Sequence, residues 1–430
     1  MIKRSFIGLY QARLTYDAVD PGVQKARAVR PRQSVRLLVE CPMPPGKKLL
    51  LATGDKVKEG QKLLLSNNSS CYAIATAAGI ISAIEPHTGN FGRKYTAVTI
   101  TLDPASGTDD SFRTECGQPS MKVLRDFLAH LPGTLPPALL PPLAGNRPEL
   151  HTLVVLGMDS DLLVNTRRHI LQSGTAAVKT GVRLLKQITG IQKIILAVPD
   201  ALSQEALSVG EPVQTLSAAY PSALPRLIVK SISGNPVPAS KTCEEAGFCF
   251  VSVETAAALG SAFETGVIPK EKRLTIVDKQ GRKTMISAVI GTSIKDILDD
   301  LHISLNEGDR LINGGPMTGE ALQSEFHPVC PDMDAICIQD KNAIPLVENS
   351  YCINCGECIR ICPVNVPVNL LVRYLEAGRY DEARDRQDLD ACIECGLCSY
   401  VCTARIPIFQ YIRQAKFELA GVHPAEAGNA

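Results

Sequence analysis

No stretch of this 430-residue chain is apolar for the ~18 residues needed to cross a bilayer, so no membrane-spanning helix is expected. Near the start, "KRSFIGLYQARLTYD" has a basic pair in the manner of an export signal. No apolar core follows it, and an exported precursor is not expected. An excess of either charge is missing too. Lys and Arg number 45 against 44 Asp and Glu, a net charge of +1, which leaves no basic footprint for nucleic acid. The locally basic "KARAVRPRQSVR" (25–36) reads as a solvated face, with an acidic partner or anionic lipid as the alternative. The dinucleotide fingerprint G-x-G-x-x-G is absent, and "GGPMTGEA" has neither the lysine nor the serine of a phosphate loop. Histidines occur at 87, 130, 151, 169, 302, 327 and 423, and no two share a metal-binding spacing.

Cysteine, by contrast, is plentiful at 15 residues. Eight lie in two runs, "YCINCGECIRICPVN" from Tyr351 and "CIECGLCSYVCTA" from Cys392. Both read C-x2-C-x2-C-x3-C, with Thr403 where the first run has Pro363. Structural zinc uses two separated pairs of ligands, whereas here three cysteines crowd together and a fourth follows after a longer gap. That is the spacing of two [4Fe–4S] clusters, in which the fourth cysteine of each run reaches across to the other cluster. The expected ligand sets are Cys352, Cys355, Cys358 and Cys402 for one cluster, and Cys392, Cys395, Cys398 and Cys362 for the other. Gly356 and Gly396 would let backbone N–H groups approach the sulfurs, and Ile353, Ile359, Ile361, Ile393, Leu397 and Val401 would exclude water. The other seven cysteines (41, 71, 116, 243, 249, 330 and 337) are scattered and odd in number. They argue against a disulfide framework and for a reducing compartment, and most read as small buried hydrophobes.

The length implies several domains. Residues 1–102 contain short alternating strands broken by glycine turns. "GDKVKEGQ" (54–61) and "AAGIISAIE" (77–85) resemble lipoyl or biotinyl barrel-sandwich domains, without the lysine on a hairpin tip that those carriers use. Residues 103–150 form a proline-rich linker with one short helix near Met121–His130. From His151 the pattern becomes strand, helix (about Val164–Gly190), strand, a βαβ unit of a parallel sheet through residue 272. Asp159 and Asp161 follow its first strand, where α/β proteins often bind ligands, and read as turn carboxylates. Residues 273–320 give hairpin, N-capped helix and strand, the order of a β-grasp module. A connector (321–348), a helix-rich ferredoxin-like domain (349–420) closed by Ile408–Ala420, and a disordered tail (421–430) complete the chain.

In this order the domains resemble the C subunit of the Rnf electron-transport complex over nearly the whole length. The likeness is carried by "GDKVKEGQ", "YPS" (220–222), "SGNPVP" (233–238), "GGPMTG" (314–319) and both cysteine runs. Related domains occur in the flavin subunit of respiratory complex I and the A subunit of the sodium-pumping quinone reductase. The resemblance implies a multidomain α/β fold: β barrel-sandwich, α/β parallel-sheet domain, β-grasp (SLBB-like) module and helix-rich double-[4Fe–4S] ferredoxin domain. It also implies FMN and NADH binding in the α/β domain, through a glycine-rich loop before the first strand. Here that loop is "LPGTLPPALLPPLAGNRPEL" (131–150), without paired glycines; "MDSDLLVN" (158–165) and "VSVETA" (251–256), with Glu254, replace the family's other two motifs. Prolines lack donors, and a glutamate repels an anionic dinucleotide, so a degenerate FMN pocket is expected.

The resulting expectation is a peripheral subunit on the cytoplasmic side of the cell inner membrane. It would relay single electrons between ferredoxin, or another soluble iron–sulfur protein, and membrane-embedded redox subunits, with no catalytic acid or base. Two alternatives stand beside it: an NADH-oxidising FMN flavoprotein with a divergent pocket, and a soluble iron–sulfur adaptor to another reductase. The double-cluster subunits of succinate reductases rank below these, since paired Cys-Cys-Gly motifs are missing.

Overall fold

The computed structural model describes residues 13–20, 22, 25–43, 49–66, 71–140, 149–344 and 351–426. Part of the export-like opening segment, part of the proline-rich linker (141–148), part of the connector (345–350) and the last residues of the tail (427–430) lie outside these.

Strand β1 (Arg27–Val29) leaves its neighbours in sequence and joins a distant sheet. β2 (Ser34–Val39) alternates buried Val35, Leu37 and Val39 with half-exposed positions, the period-two pattern of a one-sided strand. It is followed by β3 (Lys56–Val57), β4 (Lys62–Leu64), β5 (Tyr72–Ile74), β6 (Gly79–Thr88) and β7 (Lys94–Leu102). The sheet β2-β7-β6-β3 is antiparallel, and β4 pairs with β5. Val35, Leu37, Leu63, Ile81, Val98 and Ile100 share one core between them. Cys41 and Cys71 are joined as a disulfide, with Cα atoms 5.7 Å apart. The expectation that the scattered cysteines form no disulfide framework is thereby corrected for this one pair. Cys41 follows β2 and Cys71 precedes β5, and only the packing of those strands brings them together.

The proline-rich region is packed rather than loose where it is described. Helix α1 (Ser111–Glu115) and α2 (Met121–Val123), continued by a π turn through Leu128, bury Phe112, Leu124, Phe127 and Leu128 against the next domain. Leu131, Leu135 and Leu139 add to that core.

The α/β domain holds β8 (Thr152–Leu156), α3 (Thr166–Thr189), β9 (Lys193–Pro199), α4 (Ser203–Val209), β10 (Val213–Leu216), α5 (Pro225–Ser233), β11 (Phe248–Ser252) and α6 (Val253–Thr265). Its four strands are parallel in the order β10-β9-β8-β11. All five residues of β8 are buried, as a strand covered on both faces requires. On one face α3 and α6 meet through glycine. A Cβ on Gly181 would stand 1.7 Å from the carbonyl oxygen of Ala256, and one on Gly260 would stand 2.2 Å from that of Ala177.

The next sheet is mixed and six-stranded, in the order β1-β13-β12-β16-β14-β15. Its members are β12 (Glu271–Val277), β13 (Lys283–Val289), β14 (Arg310–Asn313), β15 (Glu320–Ala321) and β16 (Ala335–Gln339), together with β1. Helix α7 (Ile294–Asp300) is capped by Ser293, whose hydroxyl accepts from the Asp296 N–H. The sheet thus draws two strands from outside residues 273–320. One of them, β16, is buried and pairs parallel with β12, some sixty residues earlier in the chain.

The last module is helical: α8 (Glu357–Ile361), α9 (Val368–Glu376), α10 (Tyr380–Gln387), α11 (Leu397–Val401) and α12 (Ile408–Glu426). Leu371, Val372, Leu375, Leu389, Ile406 and Ile412 form its core. The closing helix runs past Ala420 into the segment expected to be disordered. Among the described residues no helix is long and apolar enough to cross a membrane.

Substituting Gly181→Ala is expected to force α3 and α6 apart and cost ~1–3 kcal/mol, the usual penalty of overpacking. A lower denaturant midpoint with unchanged slope would register it.

Candidate metal centre

Landmarks of the first cysteine run recur 40 residues later: Cys352 with Cys392, Cys355 with Cys395, Cys358 with Cys398, Cys362 with Cys402, and Pro367 with Pro407. The backbone repeats as well. Asn354 and Glu394 both have φ of 55°, Gly356 and Gly396 have 75° and 74°, and Asn365 and Arg405 have 58° and 54°. Left-handed backbone is uncommon outside glycine, so three matched positions mean that both loops wind the same way. Each loop then enters a five-residue helix, α8 or α11.

The fold groups the sulfurs across the two runs. Cys358 lies beside Cys355, Cys352 and Cys402. Cys395 lies beside Cys392 and Cys362, and Cys398 lies beside Cys392 and Cys395 and also near Cys358 of the first group. Burial, then the neighbouring thiols, pushes Cys358 up to about 11, and burial pushes Cys395 up to about 12. Four thiolates at such a place call for cationic metal. Among the described residues no three His, Cys, Asp or Glu side chains converge as a single ion demands. Cys352, Cys355, Cys358 and Cys402 instead ring an apolar hollow with Val368, Val372, Ile406 and Ile408. A donor set of four sulfurs around a hollow fits a cluster better than one ion.

The second group is built into the α/β domain. The Tyr220 hydroxyl donates to the carbonyl oxygen of Cys395 at 2.7 Å. Burial, reinforced by Asp161, raises the Tyr220 phenol and keeps it a donor. Gly396 presses on the 314–319 loop, where a Cβ would stand 2.3 Å from the Met317 carbonyl oxygen. Asp161 fixes that loop by accepting from the N–H of Met317 (3.1 Å) and from the N–H and hydroxyl of Thr318 (both 2.7 Å). Cys395 and Leu397 complete an apolar core with Leu156, Met158 and Tyr220. From α12, the Lys416 ammonium donates to the Cys392 carbonyl (2.7 Å) and to Glu394 (2.9 Å). Sequence reasoning did not single out Lys416; it lies far from the runs, and only the course of α12 brings it back.

The order β10-β9-β8-β11 reverses direction at β8, so a ligand crevice is expected beyond the carboxyl ends of β8 and β11. Side chains fill that place. Asp159 is fully buried and accepts from the Arg167 N–H at 2.8 Å and from Arg168 Nε at 3.0 Å. Arg167 reaches on to Asp334 at 2.8 Å. The Lys272 ammonium, wholly buried, sits between Glu254 and Asp334. Burial alone would discharge Lys272, but Glu254 and Asp334 outweigh it and hold its pKa above the ordinary value. Burial likewise opposes charge on Asp334, and Arg167 with Lys272 outweighs it, holding the carboxyl below its usual range. Three acids and three bases thus neutralise one another, and the carboxylates at 159 and 161 are turn residues that secure α3 and the 314–319 loop.

The amino end of α6 is covered as well. Ser252 accepts from the Thr255 N–H at 3.0 Å, and Thr255 donates its hydroxyl to the Thr134 carbonyl at 3.0 Å. Gly133 is wedged in, a Cβ there lying 2.5 Å from Ser252 Oγ. A flavin phosphate at this helix end would meet the Glu254 carboxylate and the Gly133–Thr134 backbone. The residues present do not fit one.

Residues 351–406 match the family described as 4Fe-4S dicluster domain. Over 358 residues the chain is 24% identical to the C subunit of the Na(+)-translocating ferredoxin:NAD(+) oxidoreductase complex of Acetobacterium woodii, covering 79% of this chain and 81% of that protein. It is also 25% identical, over 395 residues, to the C subunit of the ion-translocating oxidoreductase complex of Pectobacterium carotovorum subsp. carotovorum. That match covers 88% of this chain but 53% of the relative, so the chain spans about half of that protein's length.

Replacing Lys272→Met should leave Glu254 and Asp334 buried without their shared cation and cost ~3–5 kcal/mol. Adding Glu254→Leu should recover part of the loss in the same denaturation experiment.

Proposed function

We propose that this Rnf-C-like chain is the iron–sulfur electron-transfer subunit of an Rnf-type membrane redox complex. The observation that carries the reading is the cross-run grouping of eight cysteines in one module, half of it built into an α/β domain. Cys352, Cys355, Cys358 and Cys402 would hold one [4Fe–4S] cluster, and Cys392, Cys395, Cys398 and Cys362 the other. When bound, such clusters accept and release single electrons.

The chain's own residues set the surroundings. Val368, Val372, Ile406 and Ile408 form the apolar inner wall of the first site. At the second, the Lys416 ammonium opposes the negative charge of the Cys392 thiolate, and the Tyr220 hydroxyl holds the Cys395 carbonyl. The antiparallel β domain is read as a barrel-sandwich without a swinging arm, and the mixed sheet as a β-grasp, SLBB-like module.

Membrane-embedded subunits would be the partners on one side and ferredoxin, or a similar soluble iron–sulfur protein, on the other, with this chain on the cytoplasmic face of the inner membrane. The filled crevice and the covered amino end of α6 favour a relay without FMN. Flavin released by acid from anaerobically purified, iron-loaded protein should be near zero per chain, with no NADH-driven dye reduction. One FMN per chain would overturn this part of the reading.

Cross-ligation has its own test in electron paramagnetic resonance of the reduced protein. Cys402→Ala and Cys352→Ala should remove the same signal, while Cys362→Ala and Cys392→Ala remove the other. Loss of one signal by both Cys352→Ala and Cys362→Ala would mean each run holds its own cluster.

A further inference from the structure

The two cysteine loops are wound alike but are not charged alike. In the first, Asn369 donates to Asn354 at 2.8 Å, a neutral contact. In the second, the matching position is Glu394, which accepts from the Lys416 ammonium at 2.9 Å. The same ammonium donates to the Cys392 carbonyl at 2.7 Å, the main chain of a residue assigned to the second metal site. Solvent access differs as well. Cys355 is exposed, whereas its counterpart Cys395 is buried. The cation of the first loop, Arg360, donates to the Cys355 carbonyl at 3.1 Å, but its side chain is 41% exposed and pairs with Glu357.

We propose that Lys416 sets the reduction potential of the second metal site, raising it so that a buried cluster there can exchange electrons with the more exposed first one. The inference rests on the electron-transfer reading above and adds the residue that brings the two sites within range of each other. One electron leaves one cluster and enters the other, and no bond or proton changes partner. Reduction therefore adds a negative charge where Cys392, Cys395, Cys398 and Cys362 already supply four thiolates. Burial opposes that charge, because a low-dielectric surrounding replaces its hydration. At the first site, solvent at Cys355 offsets the cost. At the second, Tyr220 offers a dipole to the Cys395 carbonyl, and Lys416 offers a full charge at the Cys392 carbonyl. The other charges on that side are engaged. Arg413 pairs with Glu320 and stands 4.0 Å from Glu394, and Asp161 is held by the 314–319 loop. Glu394 works against Lys416. It is the outer member of the pair, 38% exposed against 24%, and solvent screens the outer charge more than the inner one.

The test is a redox titration of anaerobically purified, iron-loaded full-length chain, followed by electron paramagnetic resonance. Cys352→Ala and Cys392→Ala assign the two signals. Lys416→Gln should make the second signal ~10-fold harder to reduce, a fall of ~59 mV for one electron, and leave the first in place. Lys416→Arg should keep the wild-type potential. Glu394→Asn, which copies the first repeat, should raise the second potential. Unchanged potentials in Lys416→Gln with a lower denaturation midpoint would make Lys416 a tether of α12 and overturn the proposal. So would equal shifts of both signals, or a fall in both Lys416→Gln and Glu394→Asn, since loosened packing acts without regard to the sign of the charge removed. Should Lys416→Gln lose iron, Glu394→Asn decides: a raised second potential supports the proposal and an unraised one overturns it. Wild-type protein that takes up no iron would overturn the electron-transfer reading itself, a different failure.

Discussion

The architecture turns on one close approach, the loop at Gly396 lying on the main chain at Met317. No side chain can stand between them, because a Cβ would meet the Met317 carbonyl oxygen at 2.3 Å. Each side of the contact is separately held. Asp161 pins the 314–319 loop, and the Tyr220 hydroxyl holds Cys395. Three segments of the family likeness, "YPS", "GGPMTG" and the second cysteine run, therefore meet at one place. Their likeness to the family is that of a joint: the residues that fasten a helical module to a parallel sheet.

The crevice at the end of that sheet is occupied by paired charges. A buried ion network is weak support for stability when compared with apolar packing, since desolvation offsets most of the attraction. It does exclude ligands. Asp159, Arg167, Arg168, Glu254, Lys272 and Asp334 pair among themselves, with only the Arg167 Nε of the network left without a hydrogen-bond partner. Gly133 and Thr134 close the helix end aimed at the site. The carboxyl end of the parallel sheet thus serves as packing surface for β12 and the segment before β16.

What could be read from the sequence was local. The helix read over Val164–Gly190 runs Thr166–Thr189, because its apolar period and flanking glycine act within a few turns. The three close cysteines of each run follow from spacing over a few residues, while the reach of the fourth to the other run comes from the two-cluster ferredoxin pattern. Non-local pairings were out of reach. "AICIQ" is too short to announce itself as a strand, and it becomes one only against β12. Lys272, within "KEKRLTIV", looks like a surface charge; its burial depends on Glu254 and Asp334, which lie on other elements. Cys41 and Cys71 gave no spacing to recognise. Lys416 and Arg413 lay in a helix whose destination was unknown.

Arg413 has a further bearing. From α12 it pairs with Glu320 of the mixed sheet, and its guanidinium lies 5.2 Å from the ring of Phe91 in the antiparallel β domain. Glu320 also accepts from Asn90 at 2.6 Å. Relative movement is the ordinary condition of domains joined by modest interfaces. Here one strap crosses three of them, and the redox module is mounted like a bracket. Shifting that module against either sheet would have to break the Arg413–Glu320 pair or lift the guanidinium off Phe91.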